Sequence, residues 1–553
     1  MRIIPRSLAL LASSLLFAAG ARADYIDHFA DPTDIGILKV PRTGTTHVLV
    51  IPLIIDNLPF EDGSTGDAAA AAFVADVQDF YSEDKQGFGF TPYYSALSLG
   101  RFHPVATVAN PVHFPACPKL GTFDDCDIPR GAGAGEGDLT SAAGALGDSM
   151  RFLDVIMQCA TQGPSAALGC TSGGGVNMTD FDTSGPVEGT PDGVADGVIL
   201  VTNAGFPGIA LPVKDIANTF GALLGTLPDL AYDGVTVGAV AIAGRETPPA
   251  HATFVSVHEF GHLLGWCDLY NESQTTTDMP YTLMGGWYYD TPASLVDGFS
   301  RMAAGFADVV QVAKSGTYTI KRSDQSGTIL KVGTGNEFFT VELRRKVQGA
   351  LDGDLTVNSG VIVERVRLGR RPSPNHGQYV NTLQDCVNCH AWDTFLSIEQ
   401  ADAKFDLEDD RPRDDANDMF QADDSIAPST DTAQRNLTHQ VFSTNLLNGD
   451  PTGITIQVVS ADAESATIDV TTADVGDPCA EIAPYCGDLA CTVANGVGEC
   501  GGPPPAPTPK HPVAHTPAQC GCASTTSSTA GLAALAFVAA LAAVPLARRR
   551  RSR

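Results

Sequence analysis

Two histidines four residues apart, His258 and His262, stand in the stretch "VSVHEFGHLLGWCDLY", which spans residues 255–270. On a helix, residues i and i+4 lie on the same face, so both imidazoles can reach one metal ion. Glu259 follows the first histidine and can act as the base for a water that zinc has made acidic. The spacing predicts a hydrolytic zinc site, although HExxH patterns also arise by chance on ordinary helices.

A catalytic zinc ion usually takes three ligands from the protein, so the chain must supply one more. Gly265 comes three residues after His262, and glycine can adopt the left-handed conformation that ends a helix. After such a turn Asp268 can reach the ion, and we predict it as the third ligand. Cys267 is a chemically capable alternative, but an exported thiolate is prone to oxidation. The next histidine, His376, is too distant in sequence to assume.

The segment "YTLMGGWYYD" follows the zinc helix at residues 281–290. Metzincin peptidases run a tight turn with a methionine beneath the zinc ligands, and Met284 before two glycines resembles that turn. Its thioether would support the histidines by packing. Tyr288 and Tyr289 are candidate hydrogen-bond donors to the transition state, although surface aromatic residues near a cleft often have no such role.

These residues resemble the immune inhibitor A family of secreted zinc metallopeptidases. "HEFGHLLGWCDLYN" is similar to the HExxHxxGxxD segment of that family, with Trp266 and Cys267 where leucine and proline are usual. Five further segments are similar to family segments, so the resemblance covers roughly residues 43–430: "THVLVIPLIID", "PYYSALSLGRF", "TPDGVADGVILVTNAG", "EFFTVELRR" and "LSIEQADAKFDLEDD". The resemblance implies a metzincin-like catalytic domain followed by a β-rich region, peptide-bond hydrolysis, and zinc with calcium as a frequent structural ion.

Calcium prefers carboxylate and carbonyl oxygens, and three aspartates upstream of the zinc helix are the candidate ligands. They are Asp182, Asp192 and Asp196. Asp-Gly pairs also form turns without any metal, so a purely structural role is the alternative.

Hydrophobic patterns along the chain predict an α+β fold. "THVLVIPLIID" and "GVILVTNAG" predict buried strands that are neighbours in one sheet, and "AAAAAFVADVQDFYSED" and "AAGALGDSMRFLDVIMQCA" predict helices. The glycine-rich "KQGFGFTPYYSALSLGRFHPVATV" between them predicts turns and a strand. Alternating segments such as "GTYTIKR", "EFFTVELRR" and "GVIVERVRL" predict a second, β-rich part.

Both ends of the chain predict export. "MRIIPRSLALLASSLLFAAGARA" has a basic start, a short apolar run and a small-residue cleavage site, which is typical of a signal peptide. Near the other end, a Cys-Gly-Cys precedes an apolar stretch and an arginine cluster, which resembles the tripartite sorting signals of bacterial surface proteins, of the myxobacterial type. A plain transmembrane anchor is the alternative. We therefore expect a protein that is attached to the cell surface or outer membrane, or released, with export and sorting machinery as partners.

Together these patterns divide the chain into seven predicted segments: a signal peptide (1–23), a short N-terminal segment (24–42), the zinc metallopeptidase domain (43–312), a β-rich domain (313–472), a Cys/Pro-rich linker (473–529), a transmembrane or sorting helix (530–547) and a basic tail (548–553).

The net charge of the chain indicates which kinds of molecule it can bind. The chain has 553 residues, and 64 acidic against 34 basic side chains give a net charge of −30. Nucleic acid would be repelled at long range, so we expect protein or peptide substrates. Most of the 13 cysteines fall into close pairs, for example Cys159 with Cys170, which suits disulfides in an exported chain.

One further pattern predicts a different function. "CVNCH" supplies Cys386, Cys389 and His390 in the spacing of c-type haem attachment, which would make the chain an electron-transfer protein. The pattern lies between strand-like segments rather than helices, and this context favours a local disulfide. A non-catalytic surface binding protein is the other alternative, but Glu259 argues against it because a structural zinc site needs no base.

Overall fold

The computed structural model describes residues 42–116, 139–184, 189–203, 209–213, 230–244, 249–269, 281–285, 294–347, 351–352, 359–367, 396–407, 417–433 and 440–472, with gaps of one to three residues inside some of these ranges and short strands nearer both ends.

The strands of the first half are β1 (His28–Asp31), β2 (Asp34–Ile35), β3 (Gly44–Ile55), β4 (Phe102–Val108), β5 (Val112–Phe114), β6 (Val198–Thr202), β7 (Ile209–Leu211), β8 (Ala231–Tyr232), β9 (Val235–Thr236) and β10 (Val240–Gly244). Those of the second half are β11 (Asp308–Val312), β12 (Gly316–Lys321), β13 (Thr328–Val332), β14 (Glu337–Arg344), β15 (Gly360–Arg367), β16 (Leu396–Ile398), β17 (Ser425–Ile426), β18 (Thr455–Ala461), β19 (Ser465–Thr471), β20 (Pro478–Cys479), β21 (Cys491–Ala494), β22 (Val497–Cys500) and β23 (Ala518–Gln519). The α-helices are α1 (Asp67–Phe80), α2 (Phe90–Leu97), α3 (Leu139–Gln162), α4 (Pro249–Leu263) and α5 (Gly298–Ala303).

The fold is mixed α/β, with sheets and few helices in the described residues. The first sheet has the order β4-β3-β6-β10-β7, with β5 also on β3. Its strands run parallel except β7, which is antiparallel to β10. The predicted pairing of the two apolar strands is confirmed, because β3 and β6 are parallel neighbours from Leu49 opposite Val198 to Leu53 opposite Thr202.

Side chains on β3 alternate between two cores, one on each face of the first sheet. Val48, Val50 and Ile54 face the core that α1, α2, α4 and α5 cover. Leu49, Ile51 and Leu53 face a second core, which α3 covers. Helix α4, which carries the two predicted zinc ligands, therefore lies on one face of the sheet, in a layer with the aromatic residues of α2.

The β-rich part is a sandwich of two sheets, β11-β13-β14-β15-β16 and β12-β19-β18-β17. Apolar side chains from both sheets share one core, including Val341, Val363, Ile456 and Ile468. The opposite face of β14 and β15 packs on the first half of the chain, where Phe338 and Ile362 join the core around α4.

The strands predicted for the β-rich part are present, whereas one predicted loop is a helix. Residues 90–97 form α2 although the glycine-rich context predicts turns, because Phe90, Tyr93, Tyr94 and Leu97 bury one apolar face at helical spacing. The predicted boundary at residue 312 stays a prediction. β11 precedes it, yet pairs with β13 of the second half.

Within the described residues, no helix is both long and apolar enough to cross a membrane. The predicted signal peptide (1–23), apolar segment (530–547) and basic tail (548–553) lie outside the described residues.

Candidate metal centre

Every residue of α4 from Val255 to Leu263 is buried. One face packs on an aromatic cluster, where the ring of Phe260 lies 5.0 Å from that of Phe90 and 5.2 Å from that of Tyr94. Tyr94 also donates its hydroxyl proton to the main-chain oxygen of Val257 at 2.5 Å. Burial raises the pKa of Tyr94 well above its usual value, so it remains a neutral donor. These contacts fix the rotation of the helix on the sheet.

His258 and His262 lie side by side, as their spacing predicts. Their ring centroids are 4.9 Å apart and the ring planes are nearly perpendicular, at 86°. His258 is 6% exposed and His262 is fully buried. Two neighbouring imidazoles in a buried setting are suitable ligands for one zinc ion.

Main-chain oxygens hold both rings through the Nδ1 atom. Nδ1 of His258 lies 3.0 Å from the oxygen of Leu283, and Nδ1 of His262 lies 2.8 Å from the oxygen of Trp266. A carbonyl oxygen can only accept, so each Nδ1 must carry the proton. In a neutral ring the lone pair that can bind a metal is then on Nε2. Histidines that ligate zinc usually have this arrangement, with the other ring nitrogen donating to an acceptor such as a main-chain oxygen.

Glu259 is 2% exposed and adjacent to the first histidine on α4. A carboxylate beside a metal site can act as a base and take a proton from water. Burial strengthens its electrostatic interactions with nearby groups, because the protein interior screens charge less than water does. The electrostatic influence of Glu259 extends to Tyr94, where it contributes to the raised pKa of that phenol.

The chain turns sharply after α4, as the sequence predicts. The helix ends at Leu263, and Gly265 has φ of +92°, in the left-handed region that glycine adopts without a Cβ clash. The amide of Gly265 donates to the oxygen of His262 at 2.8 Å. The predicted third ligand Asp268 and the alternative Cys267 lie outside the described residues.

The segment 281–285, which contains Met284, packs directly under α4. A methyl group on Gly261 would lie 3.1 Å from Met284 Sδ and 2.8 Å from Cε3 of Trp266, so only glycine fits between these side chains. The amide of Leu269 donates to the oxygen of Met284 at 2.7 Å. This segment, called the methionine turn below, therefore contacts both α4 and the chain that leaves it.

Asp297 anchors the methionine turn through Thr282. The hydroxyl of Thr282 donates to Asp297 Oδ2 at 3.2 Å and accepts the amides of Asp297 at 3.0 Å and Met284 at 3.3 Å. Asp297 also caps α5 by accepting the amide of Ser300 at 2.7 Å. Burial raises the pKa of Asp297.

Sequence patterns did not predict four participants in this site. The carbonyl acceptors of Leu283 and Trp266 leave no signal, because any residue can supply a main-chain oxygen. Asp297 gives only a weak helix-cap signal. Gly261 could have been noticed, since glycine inside a helix lowers stability unless close packing requires it.

Each of the three candidate calcium ligands already accepts at least one protein hydrogen bond. Asp182 accepts the amides of Asp192 and Gly193, each at 2.9 Å. Asp192 accepts the amide of Val194 at 3.0 Å. Such contacts are typical of turn-forming aspartates.

Asp196 is buried at 1% exposure, and burial raises its pKa. It accepts the hydroxyl of Thr183 at 2.5 Å and the amides of Thr183, His47 and Ser184 at 3.2–3.3 Å. Calcium binding at the three aspartates stays a prediction. In the described part of the chain, no cluster of three or more His, Cys, Asp or Glu side chains could hold a metal.

Several other predicted residues lie outside the described part of the chain: Tyr288, Tyr289, Cys386, Cys389 and His390. The predicted pair Cys159 and Cys170 is described and forms a disulfide, with the two Cα atoms 6.5 Å apart.

No protein-family model matches the chain, and no curated protein matches it at a significant level.

Proposed function

We propose that the chain is an exported zinc-dependent endopeptidase that hydrolyses protein substrates. The observation that carries this proposal is the pair of contacts from Nδ1 of His258 and His262 to main-chain oxygens. They orient two neighbouring imidazoles so that Nδ1 carries the proton and Nε2 is the unprotonated nitrogen, which is the zinc-ligating form, beside a buried carboxylate.

His258 and His262 would hold zinc, with Asp268 as the proposed third ligand and Cys267 as the alternative. When bound, zinc supplies Lewis acidity, which makes water more acidic and polarises the scissile carbonyl. Glu259 takes the proton from the attacking water and returns it to the leaving amine. Met284 and Gly265 shape the site, and Tyr288 and Tyr289 are proposed donors to the transition state.

The finer fold and the location belong to the same proposal. The methionine turn packed under α4 supports a metzincin-like domain of the immune inhibitor A type. The Cys159–Cys170 disulfide supports export, since disulfides persist in oxidising compartments. We propose that residues 530–547 attach the protein to a membrane or direct its sorting.

The test is hydrolysis of denatured protein substrates by the purified exported chain, measured together with its zinc content. Glu259→Gln should retain zinc and lose hydrolysis by at least about 100-fold, as expected for removal of a general base. Glu464→Gln is the matched control, because Glu464 has a side chain 64% exposed on the β-rich part. Equal hydrolysis by wild type and Glu259→Gln, or a wild type that binds zinc without hydrolysis, would contradict the proposal.

A further inference from the structure

The methionine turn depends on a second chain segment, residues 294–297. The amide of Leu283 donates to the oxygen of Leu295 at 3.2 Å, and the oxygen of Leu283 accepts from Nδ1 of His258. The position of Leu295 therefore determines where the acceptor for His258 lies. Any group that fixes Leu295 and the start of the turn also fixes that histidine.

Arg344, at the end of β14, contacts both segments. Its Nη2 donates to the oxygen of Tyr281 at 2.6 Å and to the oxygen of Leu295 at 3.4 Å. Asp352 completes the arrangement, because its Oδ1 accepts the amide of Leu295 at 2.9 Å. Thus one arginine and one aspartate of the β-rich part hold the two main-chain segments that determine the position of His258.

The guanidinium group is itself held by two carboxylates. Arg344 donates to Asp352 at 2.5 Å from Nε and 2.7 Å from Nη2, and to Glu342 at 3.1 Å from Nη1. Glu342 also pairs with Arg301 of α5. Arg344, Glu342 and Arg301 have fully buried side chains. Lysine cannot reproduce this pattern, because a single ammonium group lacks the planar fork of donors.

We infer that Arg344, with Asp352, is a positioning residue for the metal centre. It acts through Tyr281, Leu295 and Leu283 on His258, and does not touch the reacting atoms. The inference rests on the proposed zinc function. It makes the β-rich part a structural component of the metal centre, because β14 supplies the arginine that orders the turn beneath α4.

The test compares zinc affinity in Arg344→Lys with that in Arg365→Lys, using the full exported chain, Zn²⁺ and competition with a chelator of known affinity. Arg365 is the matched control, since it is equally buried on the adjacent strand β15 and pairs with Glu399 and Glu337. Its other hydrogen bonds are to the oxygens of Ser443 and Asn445, and it lies over the ring of Phe339, on the far side of the sheet from the methionine turn. Thermal unfolding of both variants reports the general loss of stability.

Arg344→Lys should weaken zinc binding by at least about tenfold. This is the lower end of the loss in metal affinity that is typical when a group supporting a metal ligand is removed. Arg365→Lys should lower the unfolding midpoint but change zinc affinity less than about twofold. Asp352→Asn, which keeps the shape of the side chain, should weaken zinc binding in the same direction. The absorption spectrum of bound Co²⁺ should change in Arg344→Lys and not in Arg365→Lys.

Equal zinc affinity in Arg344→Lys and Arg365→Lys would overturn the positioning role, as would wild-type affinity in Asp352→Asn. A wild type that binds no zinc would instead reject the proposed function. A wild type that binds zinc and hydrolyses protein, with an unaffected Arg344→Lys variant, would reject the positioning role alone.

Discussion

Gly261 and Met284 lie so close together that even a methyl side chain at position 261 would not fit. A methyl group at Gly261 would lie 3.1 Å from Met284 Sδ and 2.8 Å from the Trp266 ring. The contact lies one residue before His262, whose Nδ1 bonds the oxygen of the same Trp266. Close packing of the turn against α4 is thus coupled to the orientation of a proposed metal ligand.

Gly261→Ala should therefore destabilise the fold by about 1–3 kcal/mol, the usual range for overpacking a buried site, and weaken zinc binding. Urea unfolding and zinc competition measure the two effects. Gly316→Ala is the matched control, because its nearest contact would be an ordinary 3.7 Å to Tyr318. Wild-type zinc affinity in Gly261→Ala would contradict the coupling of the turn to the site.

The parts of the site that follow helical periodicity could be predicted from sequence. The i, i+4 spacing places His258 and His262 together, and glycine at 265 indicates where the helix ends. The supporting shell could not be predicted in this way. Leu283 and Trp266 act through main-chain oxygens, and their proximity to the histidines depends on how distant segments pack.

The same distinction applies to the fold. Continuous apolar runs predicted the paired strands β3 and β6. On β14, the alternating pattern predicted a strand but not that Glu342 and Arg344 are buried. An alternating pattern shows which residues share a face of a strand. It does not show whether the polar face contacts solvent or packs in a buried polar interface, because that depends on the tertiary structure.

Glu364 should make stability depend on pH. Burial raises its pKa to about 8, with contributions from Asp297 and Glu342, whereas its usual value is 4.5. A carboxyl whose pKa is raised on folding stabilises the protein fully below its unfolded pKa, and that contribution is lost as pH rises through the folded pKa. The unfolding midpoint of wild type relative to Glu364→Gln should therefore fall as pH rises from 4.5 to 8.

Thermal unfolding across that pH range measures the difference. The exposed variant Glu464→Gln provides the comparison, and its difference from wild type should stay flat. A wild-type advantage over Glu364→Gln that grows with pH would show that Glu364 is favoured as the charged form.

Removal of the Cys159–Cys170 disulfide should lower stability without affecting the proposed metal centre. The bridge belongs to the core on the α3 face of the first sheet, whereas α4 lies on the other face. A disulfide of this kind typically contributes about 2–4 kcal/mol, mainly by constraining the unfolded chain. Urea unfolding of Cys159→Ala/Cys170→Ala should show this loss with zinc affinity unchanged. A loss of zinc binding would show that the two faces are coupled.

Calcium should leave the unfolding midpoint unchanged if the three candidate aspartates only form turns. Asp196 already accepts a hydroxyl and three amides, which occupy oxygen lone pairs that calcium would need. Thermal unfolding with excess Ca²⁺ and with a calcium chelator is the measurement. A midpoint raised by Ca²⁺ in wild type but not in Asp196→Asn would instead establish a calcium site there.

X-ray absorption at the zinc edge of the exported protein tests most directly whether His258 and His262 hold a zinc ion. The wild type should contain one zinc per chain with nitrogen and oxygen neighbours at about 2.0–2.2 Å and scattering from two imidazoles. His258→Ala and His262→Ala should each lose zinc or one imidazole. A sulfur neighbour at about 2.3 Å would replace Asp268 with Cys267 as the third ligand. A wild type without zinc, or imidazole scattering that is unchanged in both alanine variants, would contradict the metal centre itself.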